Sequence, residues 1–185
     1  DTDEQFVWQT SWGISWRIIG ALIMVHGDDK GLILPPKISP TQVIIVPIYK
    51  DESKEIVIQK AYDLEKKLKE SNIRVYTDDR DEYTSGWKFN DWEMKGVPLR
   101  VNIGLRDIQE NQVELIRRDT KERFYVKEKE LVNQTLSILE KIQSNMFDRA
   151  KNILQEKTRS ATTLEELLSV LDATGGFVAC SWCGK

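Results

Sequence analysis

The chain has 185 residues, of which 40% are hydrophobic and 31% are charged, and its formal net charge is −3 at pH 7. This composition excludes collagen-like, disulfide-rich and low-complexity disordered chains, and it can supply one ordinary core, or one core plus fragments of neighbouring domains. The acidic residues 1–4 lack the basic region of a secretory signal, and no run of ~18 apolar residues could span a membrane.

The first predicted elements are a strand and a helix. Residues 5–16 are rich in aromatic and β-branched side chains, which is typical of a strand. Residues 17–26 are apolar nearly all round, which predicts a buried helix that ends at Gly27. Pro35 and Pro36 then predict an extended segment after this helix. Because one strand and one helix cannot close a core, this segment has the character of the end of a larger domain.

An α/β unit begins near Thr41. Residues 43–46 form a continuous apolar run, as in a strand that is covered on both faces. Ser53 is a candidate N-cap for a helix that runs to Ser71, and residues 73–77 alternate as a second strand. A crossover of this length predicts parallel strands with a right-handed connection. The apolar stripe of the helix is Val57, Ala61, Leu64 and Leu68.

A second strand–helix alternation follows. A charged loop at 78–82 precedes a short helix capped by Thr84. Residues 97–103 have the period of two that indicates a strand, with Arg100 and Asn102 pointing away from its apolar face.

The last part of the chain contains two more strands and two more helices. Residues 112–117 and 123–126 predict the strands. Thr162-Thr-Leu-Glu165 fits a capping box that opens a helix to Asp172, and residues 177–182 predict a final strand. The long helix between them carries its apolar side chains on one side, namely Leu131, Ile138, Ile142, Met146, Ala150 and Ile153.

Charge and cysteine content limit the setting and the partners. Between Arg74 and Lys129 there are 12 basic and 12 acidic residues, so a nucleic acid would have to be recognised by a few placed side chains. The two cysteines, Cys180 and Cys183, cannot form a disulfide framework for this length, and a reducing, cytoplasmic location is expected.

Arg17 stands between an aromatic-rich segment and an apolar helix, where solvent is poorly accessible. One interpretation is a buried structural ion pair. The other is a fixed cation for phosphate, or a guanidinium stacked on a base. Gly13 would let a ligand approach the backbone closely, and Trp12 would wall a small apolar pocket. Spacing alone does not decide between these interpretations.

The segment from Gln9 to Arg17 (Gln-Thr-Ser-Trp-Gly-x-Ser-x-Arg), with the apolar run that leads to Pro36, closely resembles prolyl-tRNA synthetases of the archaeal/eukaryotic type. The motifs Asp78-Asp-Arg80, Arg106-Asp107 and Trp182-Cys-Gly184, together with residues 86–100, follow in the same order, so that the resemblance covers essentially the whole chain.

The resemblance implies three regions and an α/β fold. Residues 1–38 would be the strand–helix end of an antiparallel class II catalytic domain, carrying its third signature motif. Residues 39–150 would be the anticodon-binding domain, a mixed β-sheet flanked by helices. Residues 151–185 would begin a C-terminal α+β domain of zinc-binding type.

The family joins L-proline to its tRNA through a prolyl-adenylate, with ATP and Mg2+, and its members are cytoplasmic homodimers without a membrane segment. The resemblance implies that Arg17 is the catalytic, ATP-contacting arginine, that Ser15 is close to the nucleotide, and that Ser11, Trp12 and Gly13 line the proline pocket. Signature motifs one and two have no counterpart here, so we expect this chain alone to be inactive.

The anticodon readers of the family map onto Glu93, Arg100, Arg106 and Asp107. Proline codons begin with CC, and proline anticodons therefore carry two adjacent guanines. An unstacked guanine offers N1–H and N2–H donors to a carboxylate, and O6 and N7 acceptors to a guanidinium. Two carboxylates and two arginines near one end of a sheet would match two guanines. Taken without the resemblance, these residues are typical of surface ion pairs.

Cys183 lies where the first ligand of a structural zinc is expected in the family, and Cys180 matches no ligand position. A pair of cysteines is two ligands short of a structural site, so we expect no intact zinc site in this chain. Two alternatives to a ligase remain open at this point. One is a non-catalytic module that binds the tRNA anticodon, and the other is a structural interaction domain whose charged faces are merely solvated.

Overall fold

The computed structural model describes residues 7–182. Its centre is a five-stranded sheet in the order β2-β1-β3-β4-β5. Strand β1 (Val43–Ile48) is flanked by β2 (Val75–Thr77) and β3 (Leu99–Gly104), both parallel to it. Strands β4 (Gln112–Arg117) and β5 (Arg123–Lys127) then continue the sheet antiparallel. The predicted mixed sheet and the predicted parallel pairing of its first two strands are confirmed.

Two long helices cover one face of this sheet. Helix α2 (Lys54–Glu70) begins after Ser53 and ends before Ser71, as predicted, and its apolar stripe is fully buried. Helix α5 (Leu131–Glu156) lies on the same face, where Leu131 and Ile142 share one hydrophobic cluster with Leu99. This cluster is the main core of the protein.

The other face of the sheet is covered only in part. Helix α3 (Ser85–Met94) begins at Thr84, whose side-chain oxygen accepts a hydrogen bond from the amide of Trp87 at 3.3 Å. Its aromatic side chains pack on Ile44 and Val46 of β1 in a second, smaller cluster. Beyond the start of β3, the same face of β3, β4 and β5 is not covered by a helix among the residues described, and mostly polar side chains lie there.

A buried carboxylate fixes helix α3 to the sheet. Asp78 has no exposed surface and accepts hydrogen bonds from the guanidinium of Arg80 at 2.7 and 2.8 Å and from Nε1 of Trp92 at 2.7 Å. Lys88, only 2% exposed, donates to the backbone carbonyl of Asp78 at 3.1 Å. Burial opposes ionisation of Asp78, but these donors outweigh it and lower its pKa below the ordinary value.

The predicted strand at 5–16 is wrong for the residues that can be seen, since residues 7–15 carry no regular secondary structure. Helix α1 (Arg17–His26) forms and ends at Gly27 as predicted, but none of its side chains is buried. A strand needs a hydrogen-bonding neighbour and an apolar helix needs a surface to cover. Within residues 7–182, no strand pairs with residues 7–15, and α1 meets α5 only at its end, where Arg149 donates to the carbonyls of Val25 and His26 at 3.4 Å.

A small unit ends the chain. Strands β6 (Thr158–Ser160) and β7 (Phe177–Ala179) pair in parallel around helix α6 (Leu164–Ala173). The capping box is one residue later than predicted, because Thr163 caps the helix and Glu166 returns the bond.

The predicted domain boundaries at 38 and 150 stay predictions. Ile33 is buried in the main core, and α5 runs unbroken past residue 150. None of the helices described has both the length and the apolar character that crossing a bilayer requires.

We expect Asp78→Asn to lower the free energy of unfolding by about 3–5 kcal/mol at pH 7, because it leaves the cations of Arg80 and Lys88 without their buried anion. Urea denaturation measures the change. The matched control is Asp148→Asn, an exposed carboxylate on α5, which should stay within about 0.5 kcal/mol of the parent.

The difference between the parent and Asp78→Asn should narrow below about pH 4. A carboxyl whose pKa is lowered by folding contributes stability above its unfolded pKa and loses that contribution as the pH falls. A difference that is constant down to pH 2 would contradict an ionised Asp78.

Candidate functional site

A pocket of about 210 Å³ opens on the partly covered face of the sheet. It lies between the end of α3, the start of β3 and the turn that joins β4 to β5. Trp92 and Glu93 form one side, Arg100 the floor, and Arg118 and Lys121 the opposite side. The pocket is therefore lined by an aromatic ring, a carboxylate and several cations.

Arg100 is the unusual cation of this pocket. Its guanidinium carbon lies 4.0 Å from the centre of the Phe89 ring, and its Nε atom is buried without a hydrogen-bond partner in the part of the chain described. Burial lowers the pKa of Arg100, and the attraction of Glu93 and Glu114 does not fully compensate. A buried donor without a partner costs about 1–3 kcal/mol, so this guanidinium is prepared for an acceptor that a ligand could bring.

The other cations around the pocket are already held by carboxylates. Arg118, for example, binds Asp28 through both terminal nitrogens at 2.6 and 2.8 Å. Among residues 7–182, Arg100 alone of the pocket's cations has no carboxylate within salt-bridge distance. The pairs are Lys30 and Lys121 with Glu93, Arg117 with Asp119, Arg118 with Asp28, and Arg123 with Glu114.

Glu93 supplies the carboxylate of the pocket. Its side chain is mostly buried and contacts the ammonium of Lys121, while Lys30 lies 3.8 Å away. Burial opposes its ionisation, but the Lys121 contact prevails and lowers the pKa of Glu93. The pocket therefore pairs an ionised acceptor with the unpaired donor group of Arg100.

The expectation that four site residues lie together at one end of the sheet is wrong. Glu93 and Arg100 share the pocket, but Arg106 and Asp107 lie on helix α4 (Leu105–Gln109), beyond the other end of β3. Four residues of extended strand separate Arg100 from Gly104, which is about 13 Å. The prediction grouped the pair Glu93 and Arg100 with the pair of α4 residues because it considered their order along the chain and not the length of strand between them.

Arg106 and Asp107 differ in how they are held. The Oδ2 atom of Asp107 accepts a hydrogen bond from the Gly104 amide at 2.8 Å and so caps the short helix. Arg106 is exposed, with no ion pair among the residues described. This second pair combines a carboxylate held by a backbone amide with a guanidinium exposed on the surface.

The residues predicted to contact proline and ATP lie on the surface. Among the residues described, they do not come together to form a pocket. Trp12 is 94% exposed, and a side chain at Gly13 would meet nothing within 4 Å. Ser11 and Ser15 are exposed as well. Arg17 makes no salt bridge with the residues described, so the alternative of an internal ion pair is not observed. Their roles toward proline and ATP stay predictions.

No metal site is visible in the part of the chain described, where no group of three or more His, Cys, Asp and Glu side chains could hold an ion. Cys180 is exposed with a free thiol. Cys183, the candidate zinc ligand, lies outside the described residues.

Three residues of the site were missed from the sequence: Asp28, Arg118 and Lys121. Asp28 and Arg118 are 90 positions apart in the chain, and nothing local indicates that they pair. Arg118 also donates from Nε to the backbone carbonyl of Glu93 at 2.8 Å. The turn after α1 is thereby fastened to the rim of the pocket. The signal in the sequence that bears on these residues is the Asp119-Thr-Lys121 turn. Such a turn predicts a bend of the chain but not the direction in which its side chains point.

Comparison with known proteins is specific. Residues 42–138 match the anticodon binding domain family. The chain is 48% identical over 185 residues to a proline–tRNA ligase of Natranaerobius thermophilus, covering 100% of this chain and 38% of that protein. It is 46% identical over 181 residues to the proline–tRNA ligase of Ruminiclostridium cellulolyticum, covering 98% of this chain and 37% of that protein.

A third relative, the proline–tRNA ligase of Alkaliphilus oremlandii, is 49% identical over 178 residues, with 96% of this chain and 36% of that protein covered. The chain thus spans less than two-fifths of the length of these relatives.

We expect Arg118→Met to release the turn after α1 without unfolding the sheet. The amides of Asp28 and Gly31 donate to each other's carbonyls at 3.1 and 3.0 Å. Hydrogen exchange at these two amides should become at least about tenfold faster in the variant, since hydrogen bonds to charged groups contribute about 1.5–3 kcal/mol. Amides of β3 provide the internal reference, and Arg159→Met in the terminal unit is the control variant. Unchanged exchange at both amides would contradict the tether.

Proposed function

The chain belongs to the anticodon-binding-domain family, and from that premise we propose that it is the anticodon-reading part of a proline–tRNA ligase. The complete protein would ligate L-proline to proline tRNA through a prolyl-adenylate, with ATP and Mg2+. The observation that carries the anticodon role is the half-buried, unpaired guanidinium of Arg100 beside the ionised carboxylate of Glu93.

This pair of groups complements the edges of guanine. The guanidinium of Arg100 can donate to O6 and N7, while the carboxylate of Glu93 can accept from N1–H and N2–H. Because Arg100 lacks a carboxylate partner, its contact with a guanine would break no ion pair of its own. The contact of the guanine with Glu93 would displace Lys121, which would shift toward Asp28, whose carboxylate is already 3.9 Å from its ammonium.

The separation of the two pairs bears on how two adjacent guanines would bind. Arg100 with Glu93 would take one guanine, and Arg106 with Asp107 would take the other about 13 Å away along β3. Such a separation requires the two bases to be unstacked and turned apart, as is usual when proteins read single-stranded loops. Each bidentate contact would contribute about 1–3 kcal/mol of discrimination.

Residues 11–17 would serve the other half of the reaction. In the complete protein, Ser11, Trp12 and Gly13 would contact proline, and Ser15 and Arg17 would contact ATP, where a cation stabilises the charge that develops on the triphosphate. The exposed apolar side chains around them support this proposal, because large exposed patches mark surfaces that a partner covers. The presence of these proposed proline- and ATP-contacting residues also favours a ligase over a non-catalytic binding module, which needs no such groups.

Several finer features of the proposal depend on the sequence resemblance. They are the archaeal/eukaryotic type, the homodimer, the cytoplasmic location and a structural zinc in a complete C-terminal domain with Cys183 as one ligand. The proposed domains are the same as those predicted, namely 1–38, 39–150 and 151–185.

Arg100 can be tested with an anticodon stem-loop RNA of proline tRNA. Changing the guanine that it reads to adenine should weaken binding about 5- to 150-fold, and Arg100→Met should weaken the intact loop similarly while abolishing the difference between the two RNAs. Titration by fluorescence anisotropy gives the four dissociation constants.

Arg159→Met serves as the charge-matched control for Arg100→Met and should leave all of these constants unchanged. Equal affinity of the parent for loops with and without each guanine would refute the anticodon role.

Arg17 can be tested in a protein that carries the remaining three-fifths of the relatives' length. We expect Arg17→Ala to lower proline-dependent pyrophosphate exchange about 100- to 1,000-fold, as for other losses of a charge-stabilising donor. Binding of the anticodon stem-loop should be unaffected, because α1 does not line the pocket. Normal exchange by this variant would remove Arg17 from the reaction.

A further inference from the structure

The partly covered face of the sheet carries two rows of side chains across its strands. Strand pairing places Arg100 opposite Ile116, which is itself opposite Arg123, and these residues form the row at the pocket. The next row along the strands contains Asn102, Glu114 and Tyr125, each opposite its neighbour. Because side chains two residues apart share a face, both rows point away from the main core.

The second row is a connected polar network. Glu114 accepts hydrogen bonds from Nδ2 of Asn102 at 2.7 Å, from Arg123 at 3.3 Å and from the hydroxyl of Tyr125 at 3.5 Å. Three donors from the two neighbouring strands, β3 and β5, thus hold one carboxylate in place on an otherwise open face. A carboxylate has about four acceptor positions, so this one can accept at least one more donor.

The network is also short of a donor. Asn102 is only 5% exposed, and its Oδ1 atom is buried without a partner among the residues described. Together with the remaining position on Glu114, this row has two acceptor positions without a donor among the residues described. The chemical group that completes it is one with two adjacent N–H donors, such as the exocyclic amino group of a nucleobase.

Tyr125 adds a flat surface to the row. Its ring is 66% exposed, although it stands in the middle of a strand, and its hydroxyl is the only part that bonds to Glu114. Bases of single-stranded RNA stack on such exposed aromatic rings of a sheet surface. The ring lies two strand spacings from β3, about 10 Å, so a base stacked on it is a different base from the one at Arg100.

From these observations we infer that Asn102, Glu114 and Tyr125 form a third base site, which binds an amino-bearing nucleobase that flanks the guanine pair in the same RNA loop. Tyr125 would stack on the base, Glu114 would accept from its amino group, and Asn102 would position Glu114. The inference rests on the proposed anticodon role of the neighbouring pocket. It extends recognition beyond the two guanines to a nucleotide outside the pair.

The test is a series of anticodon stem-loop RNAs in which each unpaired nucleotide outside the guanine pair is replaced in turn by an abasic site. Tyr125→Ala should weaken the intact loop about 5- to 150-fold, the usual contribution of one stacked base. One of the abasic RNAs should bind the parent protein more weakly by the same factor. The same RNA should show no further loss of affinity with Tyr125→Ala. Tyr125→Phe keeps the ring and should retain most of the affinity.

Two further variants separate stacking from amino-group recognition and from a general effect. With Glu114→Gln, the preference for an amino-bearing base over uracil at the coupled position should disappear. Phe147→Ala removes a ring that is 64% exposed on α5, on the other side of the sheet, and should change no constant.

Either of two results would overturn the inference: an unchanged affinity of Tyr125→Ala for the intact loop, or an equal loss of affinity for every abasic RNA. Substituted guanines distinguish its failure from that of the proposed function. If guanine changes weaken binding and Tyr125→Ala does not, the third site is wrong and the anticodon role stands. If guanine changes have no effect while one nucleotide couples to Tyr125, the anticodon role is wrong and the base site stands.

Discussion

The unequal covering of the central sheet is the constraint on which the rest of the structure depends. Helices α2 and α5 bury one face completely, whereas α3 reaches the other face only at β1 and its neighbourhood. Most side chains on the second face of β3, β4 and β5 are therefore polar, and Glu114 there is hydrogen-bonded to Asn102, Arg123 and Tyr125. The buried Asp78 maintains this arrangement, because it fixes where α3 ends and hence where the pocket begins.

Arg100 shows how this constraint creates a binding group. On a fully exposed face its guanidinium would be solvated, and in a closed core it would have been replaced or paired. Here the Phe89 ring and the edge of α3 remove much of its water without supplying an acceptor. The free energy lost by that burial is returned when a ligand brings acceptors in the plane of the guanidinium, as the O6 and N7 edge of a guanine would.

The sequence predicted the parts of the fold that depend on local patterns. The strand at 43–46, the stripe of α2 and the Thr84 cap are each determined by residues within one helix or strand, and each was correct. The strand at 5–16 and the burial of α1 failed because both depend on neighbours that periodicity does not reveal. The arrangement of the site was predicted only in part for the same reason, since the pairing of Asp28 with Arg118 and the distance that β3 puts between the two pairs of site residues are properties of tertiary structure.

The pairing of nearly every cation around the pocket has a consequence for competition among RNAs in the cell. Lysines and arginines that already neutralise carboxylates displace few of the counterions condensed on a polynucleotide, so the gain from releasing those ions is small. A generic RNA would therefore be held weakly at physiological ionic strength. If this surface reads an anticodon as proposed, it would spend little time on other transcripts, and its affinity would come mainly from the few base edges that fit it.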